Sequence, residues 1–186
     1  CMTHRGAIAA DGLSGDGCGL LFKKPDAFLR AVAGEAGFTL GALYAAGLLF
    51  LSRDAAPQAH ARSTLKSSLE AQGLTVAGFR LVPTNSSVCG ESALASLPHI
   101  EQVFVNAPAG MSEDDFERKL YIGRRQAEKA LEPADPVFYL PTLSCRVISY
   151  KGLVMPDKLP VFYPDLNDAR FASSLVVFHQ RFSTNT

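Results

Sequence analysis

The stretch "GALYAAGLLFLS" (residues 41–52) is the longest apolar run of the chain, and its interpretation decides the fold class. Its length suits a strand, although its alanine content would also suit a helix. Because glycine precedes it and an aspartate follows it, we interpret residues 42–51 as a buried strand. The run is too short to cross a membrane, which takes about 20 apolar residues in a helix. We therefore expect no membrane partner.

The rest of the chain alternates between helix and strand character around this run. Ser112, with an acidic residue three positions later, predicts a capped helix start, and Gly73 predicts a helix end. In chain order the sequence predicts a strand at "GLLF" (19–22), the buried strand over 42–51, a helix over 54–73, strands over 74–85 and 100–110, a helix over 113–131, and β-rich segments over 136–154 and 170–182. Several strands in succession favour an α+β class with a mainly antiparallel sheet over a regular βαβ alternation.

The composition is typical of one globular domain of ordinary size. Of the 186 residues, 47% are hydrophobic and 19% are charged. Eighteen basic and eighteen acidic residues cancel, so nothing indicates a nucleic-acid partner, which would need a clustered basic excess. The densest cationic stretch, "ERKLYIGRRQAEK" (117–129), is interleaved with acidic residues, and we expect it to form a solvated helix face.

The cysteine pattern indicates neither a metal site nor a disulfide framework. The four cysteines form no CxxC pair, and none has a histidine at metal-ligand spacing, so we expect no structural zinc site. Reduced, scattered cysteines are typical of a cytoplasmic protein. The cysteines are Cys1, Cys18, Cys89 and Cys145.

The glycine-rich stretch "GLSGDGCGLLF" (12–22) has the most unusual local composition of the chain. A phosphate-binding loop would follow a strand, open a helix and, in the Walker form, contain Gly-Lys-Ser/Thr. Here the glycines lead into an apolar strand, and that tripeptide is absent. We therefore expect a tight loop whose backbone passes close to another group, with Asp16 free for a turn or a hydrogen bond.

Two further stretches place polar side chains beside apolar ones. In "THRGA" (3–7), Arg5 could form an ordinary ion pair or stabilise an anion in a cleft. In "VVFHQRFSTNT" (176–186), a polar cluster follows an apolar strand, where side chains are well placed to line a site. Arg181 could hold a carboxylate there with two hydrogen bonds. The sequence contains no GxSxG motif that would indicate a serine nucleophile.

These stretches also resemble a known family. The chain is similar, throughout and in collinear order, to the class II glutamine amidotransferase domain at the amino terminus of the large chain of bacterial glutamate synthases. The stretches that carry the resemblance are "HRGAIAADGLSGDGCGLL" (4–21), "VPTN" (82–85), "IEQVFVNAP" (100–108), "YKGLVMPDKLPVFYPDL" (150–166) and "FHQRFSTNT" (178–186).

The resemblance implies a fold and a reaction. The fold would be that of an N-terminal-nucleophile (Ntn) hydrolase, a four-layer αββα sandwich with mainly antiparallel sheets. Residues 1–186 would be a partial domain, incomplete at both ends. An amino-terminal cysteine of the domain would attack the side-chain amide of L-glutamine and form a thioester. Glutamate and ammonia would be released, and the ammonia would aminate 2-oxoglutarate in a later domain.

The resemblance also implies cofactors and partners outside this segment. FMN and an iron–sulfur cluster would be bound by later domains of the same large chain. In the bacterial form, NADPH would supply electrons through FAD on a small flavoprotein subunit. The stretch "MPDKLPVFYPDL" (155–166) resembles the NADPH-dependent form more closely than the ferredoxin-dependent form.

Cys1 raises the question of the nucleophile. An N-terminal cysteine can attack with its own α-amino group as the base. In the family, however, the nucleophile lies a few tens of residues before the "HRG" motif and is followed by glycine. Cys1 lies three residues before His4 and is followed by Met2. We therefore expect the catalytic cysteine upstream of Cys1.

The matching motifs assign site residues. Arg5 corresponds to an arginine near the nucleophile. Arg181 corresponds to the arginine that holds the α-carboxylate of the substrate, and Ser183 and Thr184 line the same loop. The family's oxyanion-hole Asn-Gly pair and its acidic reader of the α-amino group are expected beyond Thr186, so the segment alone is predicted to be inactive.

Two other interpretations compete with that of an enzyme fragment. The chain could be a non-catalytic, diverged amidotransferase-like module for binding or assembly, although such a copy would be expected to lose substrate contacts first, and Arg181 with "STNT" remains. It could also be a short autonomous amidotransferase that uses Cys1, which the spacing to "HRG" argues against.

Overall fold

A computed structural model describes residues 17–180, which form two antiparallel sheets, five α-helices and three short 3-10 helices. None of the helices in this range is long and apolar enough to cross a membrane. The 3-10 helices are Ser86–Val88, Pro156–Lys158 and Pro164–Asn167. The other elements are β1 (Cys18–Lys23), α1 (Asp26–Glu35), β2 (Tyr44–Leu51), α2 (Ala55–Glu70), β3 (Thr75–Leu81), α3 (Glu91–Ala95), β4 (His99–Asn106), α4 (Glu113–Leu131), β5 (Val147–Gly152), α5 (Leu159–Phe162) and β6 (Val176–His179).

The first sheet has the strand order β2-β4-β3, and its strand β2 is buried on both faces. Alternate residues of a strand point to opposite faces, so a strand buried on both sides needs apolar residues throughout. Ala45, Leu49 and Leu51 belong to a core shared with α2 and α4, whereas Tyr44, Ala46 and Leu48 belong to the core between the two sheets. This double burial explains the unbroken apolar run of the sequence.

Helices α2 and α4 cover the outer face of the first sheet. They approach each other closely at Gly123, where an added Cβ would lie 2.9 Å from Leu69 Cδ2 and 3.1 Å from the Ser68 carbonyl oxygen. The cationic stretch 117–129 lies on α4, and its exposed Arg118 and Arg125 pair with carboxylates one turn away. The solvated helix face predicted there is confirmed.

The second sheet has the order β5-β1-β6, with β1 antiparallel to both neighbours. One face, which includes Phe22, Ile148 and Tyr150, packs into the core between the sheets. Strand β6 is exposed along its whole length, and the Phe178 side chain is 63% exposed. The second sheet is therefore well packed at β1 and β5 and open at β6 within the described residues.

A buried polar network joins the two sheets. Arg80 of β3 donates two hydrogen bonds of 2.8 Å to the Asp165 carboxylate. The Tyr150 hydroxyl of β5 donates to the same carboxylate at 3.1 Å, and Gln102 of β4 donates to that hydroxyl at 3.4 Å. The Asp165 side chain is only 4% exposed. We call Arg80 and Asp165 the inter-sheet ion pair.

The predicted fold class is confirmed: the protein is mixed α/β with two antiparallel sheets, in keeping with an Ntn hydrolase. The predicted buried strand is β2, and the predicted helix over 54–73 is α2. Ser112 caps α4 as predicted, since its hydroxyl accepts the Asp115 N–H at 3.2 Å. Residues 17–180 supply the helix pair α2 and α4 and both sheets of the layered sandwich.

Two parts of the fold differ from the predictions. Helix α1 follows Pro25 and was not predicted, because no side chain caps its first residue and its ten residues give a short pattern. The β-rich segment 136–154 is not one strand. Tyr139 and Ser144 form isolated bridges to β2 of the first sheet, after which the chain crosses to the second sheet as β5.

Candidate functional site

The candidate site lies at the end of the second sheet where β1 begins and β6 ends. Gly19 of β1 pairs with His179 of β6 and with Lys151 of β5. Because β1 and β6 are antiparallel, the chain before β1 and the chain after β6 meet the sheet at the same end. The start of β1 and the end of β6, far apart in sequence, therefore lie at the same end of the sheet. We call this end of the sheet the β1–β6 edge.

Two glycines shape the backbone at this edge. Gly17 has φ 102°, a left-handed conformation that favours glycine. At Gly19 an added Cβ would lie 2.4 Å from His179 Cε1 and 3.0 Å from Lys151 Cγ. Gly17 thus allows a turn into the strand, and Gly19 allows a close approach of side chains from both neighbouring strands. A close approach occurs at Gly19, in strand β1, whereas the part of the predicted tight loop before Gly17, with Asp16, lies outside the described residues.

His179 lies across Gly19 with its ring between β1 and solvent. Partial burial lowers the pKa of His179 below its usual value, and the positive charge of Lys151 lowers it further. The imidazole is therefore mainly neutral at pH 7, with one donor and one acceptor nitrogen. Lys151 in turn donates a hydrogen bond of 3.2 Å to the Tyr139 hydroxyl.

Strand β5 is held at this edge by contacts from buried groups. The hydroxyl of the fully buried Tyr163 donates to the Lys151 carbonyl at 2.7 Å. The Cys18 thiol donates to the Val154 carbonyl at 3.3 Å. These bonds fix the backbone that carries Lys151 and, through the strand pairing, the start of β1.

None of the three cysteines in the described range has the surroundings of a nucleophile. Cys18, Cys89 and Cys145 are free and buried. Burial, reinforced by the nearby Asp157 charge, raises the pKa of Cys18 to about 12. Burial together with Glu117 raises the pKa of Cys145 to about 12, and burial also raises the pKa of Cys89. A catalytic thiol needs a lowered pKa and access to its substrate, so these three are structural.

An apolar cavity of about 200 Å³ opens beside the β1–β6 edge, between the ends of the two sheets. Cys89, Ile100, Val154 and Phe162 line its inner part, and Lys151 lies at its rim. Its lining offers few partners for charged groups, and burying an unpaired charge there would be costly. The cavity does not suit a zwitterionic amino acid, whose charged groups need polar partners.

The catalytic and binding residues assigned from the sequence lie outside the described range, and their assignment stays a prediction. The structure brings the start of β1 and the end of β6 to one end of the sheet through the pairing of Gly19 with His179. Sequence reasoning did not single out Lys151 or Tyr163, which hold this edge. The only signal for them was their position in the motif stretch "YKGLVMPDKLPVFYPDL". The assigned residues outside the range are Arg5, Arg181, Ser183 and Thr184, and Cys1, which we do not expect to be the nucleophile, also lies outside it.

Metal-ligating side chains do not cluster in the part of the chain that the structure describes. Within residues 17–180 no group of three His, Cys, Asp or Glu side chains could hold a metal ion. The described residues therefore do not fit an iron–sulfur cluster, which needs several converging thiolates.

Comparison with known proteins gives, over the whole length of this chain, the family that the sequence resembles. The sequence model of the family described as "Glutamine amidotransferases class-II" matches residues 1–186. The chain is 40% identical over 188 residues to the glutamate synthase [NADPH] large chain of Azospirillum brasilense and 37% identical over 186 residues to that of Bacillus subtilis. It is also 38% identical over 188 residues to the ferredoxin-dependent glutamate synthase 2 of Synechocystis. Each alignment covers 100% of this chain and 12% of the relative.

Proposed function

The chain belongs to the class II glutamine amidotransferases, and we propose that it forms the glutaminase part of a glutamate synthase. The support is that its relatives bear that name and match it from end to end, while the chain spans only 12% of their length. The substrate would be L-glutamine, and the remaining domains of the same large chain would be its nearest partners.

The proposed reaction is hydrolysis of the glutamine side-chain amide through a thioester. A cysteine thiolate, upstream of Cys1 in our proposal, attacks the amide carbon. The carbon–nitrogen bond then breaks, and the nitrogen leaves as ammonia after taking up a proton. Water attacks the thioester, releasing glutamate and restoring the thiol. Arg181 would hold the α-carboxylate with two charge-assisted hydrogen bonds, Ser183 and Thr184 would line the same loop, and Arg5 would lie near the nucleophile.

The pairing of Gly19 with His179 is the observation that best supports this proposal. It puts the start of β1, which follows the glycine-rich motif in sequence, and the end of β6, which precedes "RFSTNT" in sequence, at the same end of one sheet. In the described residues the sheet supplies paired strand ends but no activated nucleophile. The edge would therefore position substrate, and the thiolate would come from the part of the domain that precedes Cys1.

The later steps of the proposed enzyme lie in other domains. Ammonia would aminate 2-oxoglutarate there, with FMN and an iron–sulfur cluster as cofactors. The relatives include both NADPH-dependent and ferredoxin-dependent proteins at similar identity. On the stretch 155–166 we propose the NADPH form, with FAD on a small flavoprotein subunit and a cytoplasmic location.

The proposal is tested in the full-length protein that carries this segment. Glutamine-dependent ammonia release is measured for the wild type and for Arg181→Ala. Loss of a two-point carboxylate contact should raise KM for glutamine by about tenfold or more, since charge-assisted hydrogen bonds contribute about 1.5–3 kcal/mol each. Arg118→Ala is the matched control, because Arg118 is an exposed arginine on α4.

A wild-type protein that releases no ammonia from glutamine would overturn the proposed function. Equal KM values for the Arg181→Ala and Arg118→Ala variants would overturn the assignment of Arg181. The segment 1–186 by itself is expected to release no ammonia, because the proposed nucleophile and the oxyanion hole lie outside it.

A further inference from the structure

We infer that His179 is a positioning residue for glutamine binding and that the bare backbone of Gly19 is what lets it take that position. The inference rests on the proposed function and deepens it. It concerns how the substrate-binding segment that begins at Arg181 is held to the sheet.

The geometry at Gly19 is the first observation. The Cε1 and Nδ1 atoms of His179 would lie 2.4 Å and 3.1 Å from a Cβ built on Gly19; the first distance requires the ring to move, and the second is unusually tight. The imidazole therefore occupies the space that any other residue at position 19 would fill. Gly19 is buried, so the ring rests on strand β1 itself.

The position of His179 in the chain is the second observation. It is the last residue of β6, two residues before Arg181. All four residues of β6 are exposed, and Val177 and Phe178 are 52% and 63% exposed. The strand is therefore held mainly by its backbone pairing with β1, and the His179 ring lying on Gly19 adds a side-chain contact at the point where the chain leaves the sheet.

Lys151 completes the arrangement from the opposite strand. Its Cγ would lie 3.0 Å from the same added Cβ, so the side chains of β5 and β6 meet over Gly19. The Lys151 ammonium is turned to the Tyr139 hydroxyl at 3.2 Å. Partial burial and, after it, the Lys151 charge lower the pKa of His179 and so favour the neutral imidazole, which packs on the backbone at less desolvation cost than the charged form.

A shift of the β6 end would act on substrate binding more than on the chemical step. A displacement of about 1 Å in a positioning group can cost up to about 100-fold in rate or affinity. The residue displaced here would carry the carboxylate contact rather than the reacting thiol. The expected signature is an increase in KM for glutamine with a much smaller change in kcat.

The test is a four-variant cycle in the full-length protein: wild type, Gly19→Ala, His179→Ala and the double variant. We expect Gly19→Ala and His179→Ala each to raise KM for glutamine by about tenfold, with kcat changed by less than about threefold. Because the methyl group acts by displacing the ring, Gly19→Ala should add little to His179→Ala, so the double variant should match the single His179 variant.

Gly152→Ala is the matched control on the neighbouring strand. Gly152 pairs with Cys18, and its added Cβ would lie no closer than 3.5 Å to Val154 Cγ2, an ordinary contact. Its KM should stay within about twofold of the wild type, as expected for a residue that meets no steric conflict. The kcat for ammonia release from saturating glutamine, which requires a folded glutaminase segment, checks that each variant is folded.

The outcomes separate the inference from the proposed function. A wild-type protein without glutaminase activity overturns both. An active wild type with unchanged KM in His179→Ala overturns the inference alone. A KM increase from Gly19→Ala that persists in full in the His179→Ala background also overturns it, because the glycine would then act independently of the ring.

Discussion

The two sheets of this protein differ in how their strands are covered. In the first sheet the central strand β4 lies between β2 and β3, and the side chains of β2 are buried on both faces. In the second sheet β6 forms an edge in the described range, and the side chains of its residues are exposed. The candidate site lies at the second sheet. The difference separates a buried sheet, which forms the scaffold, from a less covered sheet, at which our proposal places substrate binding.

This division follows from the physical chemistry of burial. Apolar side chains stabilise a fold in proportion to the area they remove from water, so β2, β4, α2 and α4 supply much of the stability. A binding edge must stay open to its ligand and cannot bury its residues in the same way. Elements with few buried contacts open at low free energy, which suits a segment that receives substrate.

The largest expected effect comes from breaking the link between the two sheets. Arg80→Ala removes one partner of the inter-sheet ion pair and leaves the Asp165 carboxylate, 4% exposed, without its countercharge. Removing one member of a buried pair costs about 3–5 kcal/mol. We expect a loss of this size in the opening free energy of β3 and β4, measured by hydrogen exchange of their backbone amides in the full-length protein.

The matched control is Arg30→Ala. Arg30 pairs with Asp26 at 2.9 Å, but both side chains are exposed, at 40% and 53%. Exposed ion pairs contribute about 0–1 kcal/mol. Similar losses for the two arginine variants would show that the inter-sheet ion pair is not a link between the sheets.

The next effect compares one side chain from each sheet. Leu49 of β2 is fully buried in the helix–sheet core, and Leu49→Ala should lower the free energy of unfolding by about 2–5 kcal/mol. Val177 of β6 is 52% exposed, and Val177→Ala should change it by less than about 0.5 kcal/mol. Local hydrogen exchange in the same protein measures both. A loss of unfolding free energy in Val177→Ala as large as that in Leu49→Ala would contradict the division into a covered scaffold and an open edge.

The smallest expected effect on stability concerns the packing of helices α2 and α4 at Gly123. Gly123→Ala places a methyl group 2.9 Å from Leu69 Cδ2 at the contact of α2 and α4, and overpacking of this kind costs about 1–3 kcal/mol. Gly34→Ala on α1 meets nothing within 4 Å and should stabilise its helix by about 0.5–1 kcal/mol. Melting temperatures of the two variants should therefore move in opposite directions. An unchanged or raised melting temperature for Gly123→Ala would show that helices α2 and α4 are loosely packed at this contact.

The scaffold could largely be predicted from the sequence, and the reason lies in particular residues. The run at 42–51 and the capped start at Ser112 are local patterns, and local patterns specify β2 and α4. The pairing of Gly19 with His179 joins residues 160 positions apart, and no local pattern encodes a register. The segment 136–154 has strand character, but the sequence does not show that it passes from one sheet to the other.

The candidate site could be predicted only in part for the same reason. Its motifs were found through the resemblance, and the glycine at position 19 correctly predicted a close approach. Which side chain makes that approach could not be read from the sequence, since His179 reaches Gly19 only through the fold. The contributions of Lys151 and Tyr163 likewise depend on strand pairing and on a hydrogen bond to a backbone carbonyl.

The proposed position of the nucleophilic cysteine, upstream of Cys1, is tested most directly by mapping which cysteine reacts with a glutamine analogue. The full-length protein is incubated with an analogue that carries a diazoketone in place of the side-chain amide, and the labelled peptide is identified by mass spectrometry. We expect one labelled cysteine upstream of Cys1, with Cys18, Cys89 and Cys145 unlabelled because they are buried and their thiols have raised pKa values. Labelling of Cys1 or of any of these three would contradict it.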